Sequence, residues 1–461
     1  MFFRGFFTFF AFSDPKYYLN CHKTDFPKAG FVIFVFFGNT KPMRTILHSD
    51  LNNFYASVEC LRRPEIREKP VVVVGSKEDR HGVVLAKNTV AKRAGVRTGD
   101  VYWQARQKCG ETLVEVQADF ARYLKVSKAV RGIYEDYTDR IEAYGIDECW
   151  LDVTASLKLF GSGVGIAEAI RERVKREIGI TVSVGVSWNK IFAKLASDMK
   201  KPDAVTEITQ ENYKEIVWRL PVEDLLYVGS ATKQKLNRIG IRTIGQLARS
   251  DEELLVRMLG KWGSYLFAFA NGSDTSPVSA VDEEENIKSI GNSLTVYRDL
   301  KNEEDVRMVI HLLADSVAAR MREAGLTRAR TVHLYARASD LIGFQKQGKL
   351  PRPCCNASEI GKKAFELFRA VYPWQNYVRG LGVSVSDFCF GAEQLDMFGS
   401  AERDEKQKRL DAAVDKLRQK YGNNVIQSAI VLKDPKLRDL DVKGEHVIHP
   451  YAFFKNGAGK P

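Results

Sequence analysis

Three acidic residues at the ends of apolar, strand-like runs constrain this chain more than any other feature. Asp50 ends the first run, and Asp147 and Glu148 lie in a second run over residues 141–153. Carboxylates beside buried apolar residues are costly to keep ionised unless they are paired or bound to a metal. If the two runs are neighbours in one sheet, the carboxylates form one cluster of a kind that suits Mg²⁺. The spacing alone leaves open that they are three unrelated strand-end residues.

Three longer motifs follow one another in order around these carboxylates. They span residues 50–59 (Asp-Leu-Asn-Asn-Phe-Tyr-Ala-Ser-Val-Glu), 145–152 (Gly-Ile-Asp-Glu-Cys-Trp-Leu-Asp) and 182–202, which ends in Met-Lys-Lys-Pro. Together they resemble the Y-family, or translesion, DNA polymerases, most closely the DNA polymerase IV branch, over residues 43–430. The resemblance implies template-directed, low-fidelity DNA synthesis across damaged template, by nucleotidyl transfer from dNTPs to a primer 3′-hydroxyl.

The resemblance also assigns roles to the acidic cluster. Asp50, Asp147 and Glu148 are expected to be the catalytic carboxylates and to hold two Mg²⁺, with the backbone carbonyl of Leu51 as a further ligand. Gly145 is a departure, because a serine commonly stands there in the family. The expected mechanism is two-metal nucleotidyl transfer.

Further residues are expected to bind the nucleotide. Tyr55, with Phe54 beside it, is expected to be the steric gate, a rigid ring that leaves no room for a 2′-hydroxyl. A packing role for Tyr55 at the palm–finger junction is the alternative. Lys201 stands where the family places a phosphate-binding lysine. Thr89 and Lys92 replace the usual Tyr and Arg, and because lysine lacks the bidentate fork of arginine, a looser grip from the fingers is expected.

The order of strand-like and helical runs predicts an α+β fold with a ferredoxin-like palm. Continuous apolar runs at 70–75 and 82–86 are typical of buried strands. Apolar residues recur at helical spacing over 120–137 and 164–178, and a strand follows at 180–186. We expect helices to pack on one face of the palm sheet and the carboxylates to lie on the other.

Changes in composition divide the rest of the chain. Residues 221–247 resemble a helix-hairpin-helix, which holds the phosphates of one DNA strand, although Tyr227 replaces its usual first glycine; a plain helical bundle is the alternative. Residues 328–352 carry six basic residues and one acid, Asp340, within a segment that resembles a second ferredoxin-like unit, the little finger. A basic solvated face with no ligand is the alternative there. The predicted elements of this unit are strands 290–297, 330–337, 341–346 and 380–387 and helices 303–323 and 358–370.

The predicted division is a palm of catalytic residues, inserted small fingers, a helical thumb, a linker, a DNA-binding little finger, a clamp-binding peptide and a tail with a helix at 402–420. The palm comprises 43–52 and 118–207, and the fingers are 53–117. The thumb is 208–277, the linker 278–288 and the little finger 289–391. The clamp-binding peptide is 392–400 and the tail 401–461.

The clamp-binding prediction depends on a short motif. The segment from Gln394 to Phe398 is similar to the peptide by which bacterial polymerases bind the sliding clamp. Leu395, Met397 and Phe398 would fill an apolar pocket, and Gln394 would be the polar anchor. The family's peptide often ends the chain, whereas a long tail follows here.

The first 42 residues differ from the rest of the chain. They carry 12 of its 26 phenylalanines, with no helical or strand period, and the longest clean apolar run is 31–37. That run is far short of the roughly 20 residues that cross a bilayer, so no membrane span is expected. We expect Met43 to be the true initiator and residues 1–42 to be disordered or never made. A peripheral membrane anchor is the alternative.

Composition is compatible with DNA as a partner but does not establish it. Lys and Arg total 70 against 58 Asp and Glu, a formal net charge of +12 that also fits many basic enzymes. The seven cysteines form no Cys-x-x-Cys pair, which indicates reduced thiols in a cytoplasmic protein. The expected partners are primer–template DNA, dNTPs and the bacterial sliding clamp, and the protein is expected to be a monomer.

A catalytically silent, DNA-bound adaptor is the second class of function. It would use the thumb, the basic domain and the clamp peptide without chemistry. The intact set of Asp50, Asp147 and Glu148 favours the polymerase, because an adaptor has no reason to bear the cost of clustered carboxylates.

Overall fold

The computed structural model describes residues 43–75, 82–283, 287–390 and 400–444, without the side chains of 400–404. The predictions for residues 1–42 and for the clamp peptide at 394–398 lie outside these ranges. Within the described residues the α+β fold class is confirmed, with three separate sheets and helices packed on them.

The strands are β1 (Ile46–Leu51), β2 (Val71–Val74), β3 (Val84–Lys87), β4 (Val114–Gln117), β5 (Ile141–Ala143), β6 (Glu148–Asp152), β7 (Val182–Ser187), β8 (Val205–Glu207), β9 (Ser289–Leu300), β10 (Ala329–Ala338), β11 (Gly343–Cys354) and β12 (Val378–Phe388). The helices are α1 (Phe54–Arg62), α2 (Thr89–Arg93), α3 (Tyr102–Cys109), α4 (Phe120–Glu135), α5 (Leu157–Phe160), α6 (Gly163–Arg173), α7 (Lys190–Met199), α8 (Tyr213–Ile216), α9 (Ser230–Arg238), α10 (Ile244–Ala248), α11 (Glu252–Leu259), α12 (Lys261–Ala270), α13 (Glu303–Glu323), α14 (Ala357–Val371), α15 (Ser400–Tyr421) and α16 (Pro435–Asp439).

A five-stranded sheet carries the acidic motifs. Its spatial order is β5-β6-β1-β7-β8, in which β1 lies between β6 and β7 and pairs antiparallel with both. Four of these strands and two helices follow one another in the β-α-β-β-α-β order of a ferredoxin-like unit, namely β1, α4, β5, β6, α6 and β7. Leu47 and Leu51 on β1 join the apolar core under α4 and α6, because alternate residues of a strand face opposite sides of the sheet.

The expectation that helices cover only the face away from the carboxylates is wrong. Helix α7 packs on the same face as Asp50, where Ile46 contacts Ala193 and where His48 bonds Ser197. Gly185 of β7 permits this packing, since a Cβ atom there would lie 1.9 Å from the Ala193 carbonyl oxygen. The close approach of α7 therefore brings its side chains over the strand that ends in the carboxylate.

The segment inserted between β1 and α4 forms its own small sheet. The order is β3-β2-β4, with β2 antiparallel to β3 and parallel to β4. Val72, Val74 and Val84 form a separate core beneath α2 and α3. Helix α1 belongs to the same segment but buries Phe54 and Val58 in the core of the five-stranded sheet.

Helices α8 to α12 form a compact unit after β8. Their core includes Leu236, Leu247 and Leu266, and it also takes in Phe192 from α7. In the linker that follows, the backbone N–H of Val281 donates to the carbonyl oxygen of Asp139 (3.0 Å), which lies just before β5.

The third sheet has the order β11-β10-β12-β9, and α13 and α14 cover one of its faces. The helices predicted at 303–323 and 358–370 are confirmed, as are the strands at 290–297, 330–337 and 380–387. The prediction for 341–346 is wrong in extent, because β11 runs from Gly343 to Cys354. Its two prolines are tolerated because β11 pairs only with β10 and is an edge strand of this sheet.

The tail packs back on this third domain. The helix predicted at 402–420 is confirmed as α15, and Arg322 of α13 forms a bidentate ion pair with Asp415 on it (2.6 and 2.9 Å). Val431, Leu437 and Val442 lie in the same core as α13. The apolar part of the tail therefore packs on the domain built on β9 to β12.

Candidate active site

Strand pairing brings the three carboxylates together. Asp50 is the direct cross-strand partner of Glu148 in the β1–β6 ladder. Asp147 precedes β6, and its carbonyl oxygen accepts a hydrogen bond from the N–H of Leu51 (2.9 Å). Asp50 is 6% exposed, so its charge lies at the edge of a buried sheet.

Two lysines from the α7 segment face this cluster. Lys201 Nζ lies 2.7 Å from Asp50 Oδ2 and 2.7 Å from Asp198 Oδ1. Lys194 Nζ forms an ion pair with Glu148 Oε2. Lys201 was a sequence prediction, whereas Lys194 was missed. The available signal was the spacing of Lys194, Asp198 and Lys201, which follows one face of a helix.

The carboxylates have unequal electrostatic environments. Burial raises the pKa of Asp50 above its ordinary value, although Lys201 opposes the shift. Burial and the charge of Glu148 raise the pKa of Asp147 to about 6. Burial also acts on Glu148, but the contacts with His48 and Lys194 outweigh it and hold its pKa below the ordinary range. Two lysines facing three carboxylates thus leave the cluster short of positive charge.

His48 lies beneath Glu148 on the same strand as Asp50. It is fully buried, its Nδ1 is hydrogen-bonded to Ser197 Oγ (2.8 Å), and its Nε2 lies 3.4 Å from Glu148 Oε2. Burial lowers the pKa of His48 to about 4, so the ring is neutral at physiological pH. A neutral imidazole adds no positive charge to the cluster.

The carboxylates of the cluster are chemically suited to bind a divalent cation. Among the described residues no three His, Cys, Asp or Glu side chains already converge as a finished metal site. Asp50 and Glu148 are instead turned toward their lysines. Burial and the charge of Glu148 raise the pKa of Asp147 although Lys194 and Lys201 oppose the shift, so a bound cation would offset an unfavourable charge there. Hard carboxylate oxygens at the open end of a sheet are the ligands that Mg²⁺ prefers.

Tyr55 is the second residue of α1, the helix that follows Asp50. Its ring stacks on Tyr123 of α4, with centroids 4.4 Å apart and planes 8° from parallel. Phe54 points into the core and is 3% exposed, which agrees with a packing role. Burial raises the pKa of Tyr55 to about 12, so the phenol is neutral. The half-buried Tyr55 is the more accessible of the two rings.

The two predicted finger residues, Thr89 and Lys92, have different surroundings in the structure. Thr89 begins α2, and its hydroxyl accepts a hydrogen bond from Asn53 Nδ2 (3.2 Å), which joins α2 to the turn before Tyr55. Lys92 is exposed on the same helix.

At Gly145 a Cβ atom would lie 3.1 Å from Asp147 Oδ1, so any side chain there would press on the carboxylate.

The open face of the third sheet lines a groove of about 990 Å³. Phe120 of α4 stands on one side, and His333, Tyr335 and Lys346 lie on the other with the serines and glycines of β9 and β12. Small residues leave room for a bulky ligand to approach the sheet closely. The apolar residues of these strands point the other way, toward α13 and α14.

The predicted hairpin has an unusual residue. Tyr227 has φ of 72°, a left-handed conformation that glycine adopts without steric cost. Its ring packs against Trp262 at 5.2 Å, and Gly229 then precedes α9 as its N-cap. Position 227 therefore has the left-handed backbone that a glycine would adopt, although the glycine is absent.

Comparison with known proteins gives a consistent result. The family model described as the impB/mucB/samB family matches residues 49–198, and the one described as its C-terminal domain matches 287–397. DNA polymerase IV of Acetivibrio thermocellus is 53% identical over 393 residues, which cover 85% of this chain and 98% of that protein. DNA polymerase IV 2 of Bacillus subtilis is 36% identical over 397 residues, 84% of this chain and 95% of that protein.

A solved structure agrees on the fold. A chimeric Y-family DNA polymerase aligns with a TM-score of 0.66 at 24% sequence identity, covering 75% of this chain and 100% of that chain. Among the described residues, no helix is both long enough and apolar enough to cross a membrane.

Proposed function

Because this chain belongs to the Y-family DNA polymerases, we propose that Asp50, Asp147 and Glu148 are the residues at which it extends a primer. The protein is a DNA-directed DNA polymerase that performs translesion synthesis on primer–template DNA with dNTPs, by a divalent-metal-dependent nucleotidyl transfer. The observation that carries the proposal is the cross-strand pairing of Asp50 with Glu148, with Asp147 hydrogen-bonded through its backbone to β1. The adaptor alternative is not favoured.

The proposed cofactor is a pair of Mg²⁺ ions held by the three carboxylates and the Leu51 carbonyl. When bound, the two ions would activate the primer 3′-hydroxyl and stabilise the pyrophosphate leaving group. Asp50 would exchange its ion pair with Lys201 for the metals, and Glu148 would do the same with Lys194. Lys201 is 29% exposed and reaches the site from its rim, so once released it can bind the triphosphate.

The carboxylate proposal is tested by Asp147→Ala. Primer extension should be abolished while binding of duplex DNA stays close to that of the parent, because the change removes a metal ligand and no DNA contact. Asp136→Asn is the matched control, since Asp136 is an exposed carboxylate paired with Arg173 outside the cluster. Normal extension by Asp147→Ala would refute the assignment and revive the adaptor hypothesis.

Tyr55 is the proposed steric gate against ribonucleotides. Its stacked, half-buried ring follows the Asp50 turn, where the sugar of an incoming nucleotide would lie. Tyr55→Ala should raise ribonucleotide incorporation with little loss of deoxynucleotide incorporation. Thr89 and Lys92 are proposed as weaker nucleotide contacts from the fingers, together with Phe54 behind the gate.

We further propose that the groove on the third sheet and the hairpin before α9 hold DNA. This assigns the little finger (289–391) and the thumb (208–277) to sequence-independent contacts, with the palm at 43–52 and 118–207, the fingers at 53–117 and the linker at 278–288. Support comes from the small, polar groove lining and from the retained turn at Gly229. Backbone contacts of this type weaken as salt rises.

The clamp peptide remains a proposal from sequence. Burying Leu395, Met397 and Phe398 would give about 5 kcal/mol before the cost of ordering the segment, which is consistent with a micromolar contact to a bacterial sliding clamp. Changing Leu395 and Phe398 to Ala should leave insertion on a short primer intact and remove stimulation by added clamp. Full stimulation of the double variant would assign clamp binding to another surface.

A further inference from the structure

The ring of Tyr55 is backed by a second tyrosine. Tyr123 of α4 is fully buried and stacks nearly parallel to Tyr55 at 4.4 Å. Phe120, one turn earlier on the same helix, meets the edge of Tyr55 at 5.9 Å and 89°. Both contacts come from α4, so this helix forms the wall behind the ring.

Tyr123 is itself fixed by a hydrogen bond to the helix that carries Tyr55. Its phenol donates to Glu59 Oε1 (2.9 Å), and Glu59 is 1% exposed. Tyr55 and Glu59 are four residues apart on α1 and therefore lie on one face of it. The ring of Tyr123 contacts the first and its hydroxyl binds the second. Arg122 Nη1 lies 3.5 Å from Glu59 Oε1.

A steric gate depends on where its ring stops. If the ring can retreat along its normal by about 1 Å, the space gained admits a hydroxyl group, and shifts of that size decide activity in enzyme sites. A parallel ring in contact blocks movement in that direction, whereas an edge contact does not. Of the aromatic rings in the described residues, Tyr123 is the one that stacks parallel on Tyr55.

We propose that Tyr123, held by Glu59, is a positioning residue that sets the depth of the Tyr55 ring and so determines sugar discrimination. This inference rests on the proposed role of Tyr55 as the gate. Tyr123 does not touch the nucleotide; it acts only through Tyr55.

The test compares incorporation of dNTP and rNTP by Tyr123→Leu and Tyr123→Phe. Tyr123→Leu should lower the ratio of kcat/KM for dNTP to that for rNTP by about 10-fold or more, the scale of steric discrimination in a pocket. Tyr123→Phe keeps the ring and should retain most of the ratio. If Tyr123→Leu fails to fold, Tyr123→Met, which fills volume without a plane, should show the same loss.

Two controls separate this inference from its premise. Tyr137→Leu removes another buried tyrosine next to α4 that contacts Phe160 and not Tyr55, and its ratio should equal that of the parent. The double variant Tyr55→Ala/Tyr123→Leu should be no more permissive than Tyr55→Ala, since both changes act through one ring. A permissive Tyr55→Ala with an unchanged ratio in folded Tyr123→Leu would overturn the role of Tyr123 alone. An unchanged ratio in Tyr55→Ala would overturn the gate assignment and the inference with it.

Discussion

Leu437→Ala, in the C-terminal tail, should destabilise the domain built on β9 to β12. Leu437 is 1% exposed and lies on the short helix α16, in one core with Val431 and residues of α13. The segment is held in place by Asp434, which accepts hydrogen bonds from Tyr297 (2.8 Å to Oδ1) and from Arg298 (3.1 Å to Oδ2). The tail is therefore part of the domain and not an appendage to it.

The expected loss can be estimated from this burial. Truncation of a buried leucine to alanine costs about 2–5 kcal/mol, and the lower half applies where the surroundings can collapse into the cavity. Helix α16 has only five residues, so it can shift, and we expect about 2–3 kcal/mol of the domain's free energy of unfolding. The five-stranded sheet has a separate core and should be unaffected.

Hydrogen exchange measured by mass spectrometry resolves this difference. Peptides from β10 and β12 should lose protection in Leu437→Ala, whereas peptides from β1 and β7 should not. Leu432→Ala is the matched control, because Leu432 is 56% exposed in the same segment and its removal should change stability by less than about 0.5 kcal/mol. Equal effects of the two substitutions would refute the packing of the tail.

Two further predictions concern the five-stranded sheet. The pKa of Asp147 is about 6 in the folded protein against 3.8 as its ordinary value, so the folded state binds the proton more tightly and loses stability as pH rises through about 6. In metal-free protein, Asp147→Asn should therefore raise Tm at pH 8 and lose most of that gain at pH 4. An equal gain at both pH values would contradict the electrostatic cause. Gly185→Ala should displace α7 and lower both Tm and primer extension, because its Cβ would meet the Ala193 carbonyl oxygen at 1.9 Å. Gly132→Ala is the control: at this helical site a Cβ would have nothing within 4 Å, so the change should stabilise the protein by up to about 1 kcal/mol. If Gly185→Ala behaves like Gly132→Ala in a thermal melt, the close approach of α7 is wrong.

Long elements with a clear period were predictable from the sequence. The helix at 303–323 carries a strong apolar period, so local sequence determines both its type and its extent. Strand β11 was predicted too short because its basic, proline-containing half has no apolar alternation. Its pairing with β10 depends on a neighbouring strand that the local sequence does not contain.

The acidic residues and Tyr55 could be named from sequence because they lie in contiguous motifs. Lys194, Tyr123 and Glu59 could not, since their roles depend on which helix faces which strand. A glycine at 185 decides how closely α7 approaches β1, and only the packed structure shows its consequence.

The sequence by itself determined the fold class and the family and named the three carboxylates as candidates, because these depend on periodicity and on short contiguous motifs. Tertiary structure alone decided that two lysines form ion pairs with Asp50 and Glu148, that a second tyrosine stands behind Tyr55, and that the tail completes a distant core. Each of these contacts joins residues far apart in the chain, and the free energy of such contacts depends on distance and burial, which no local pattern encodes.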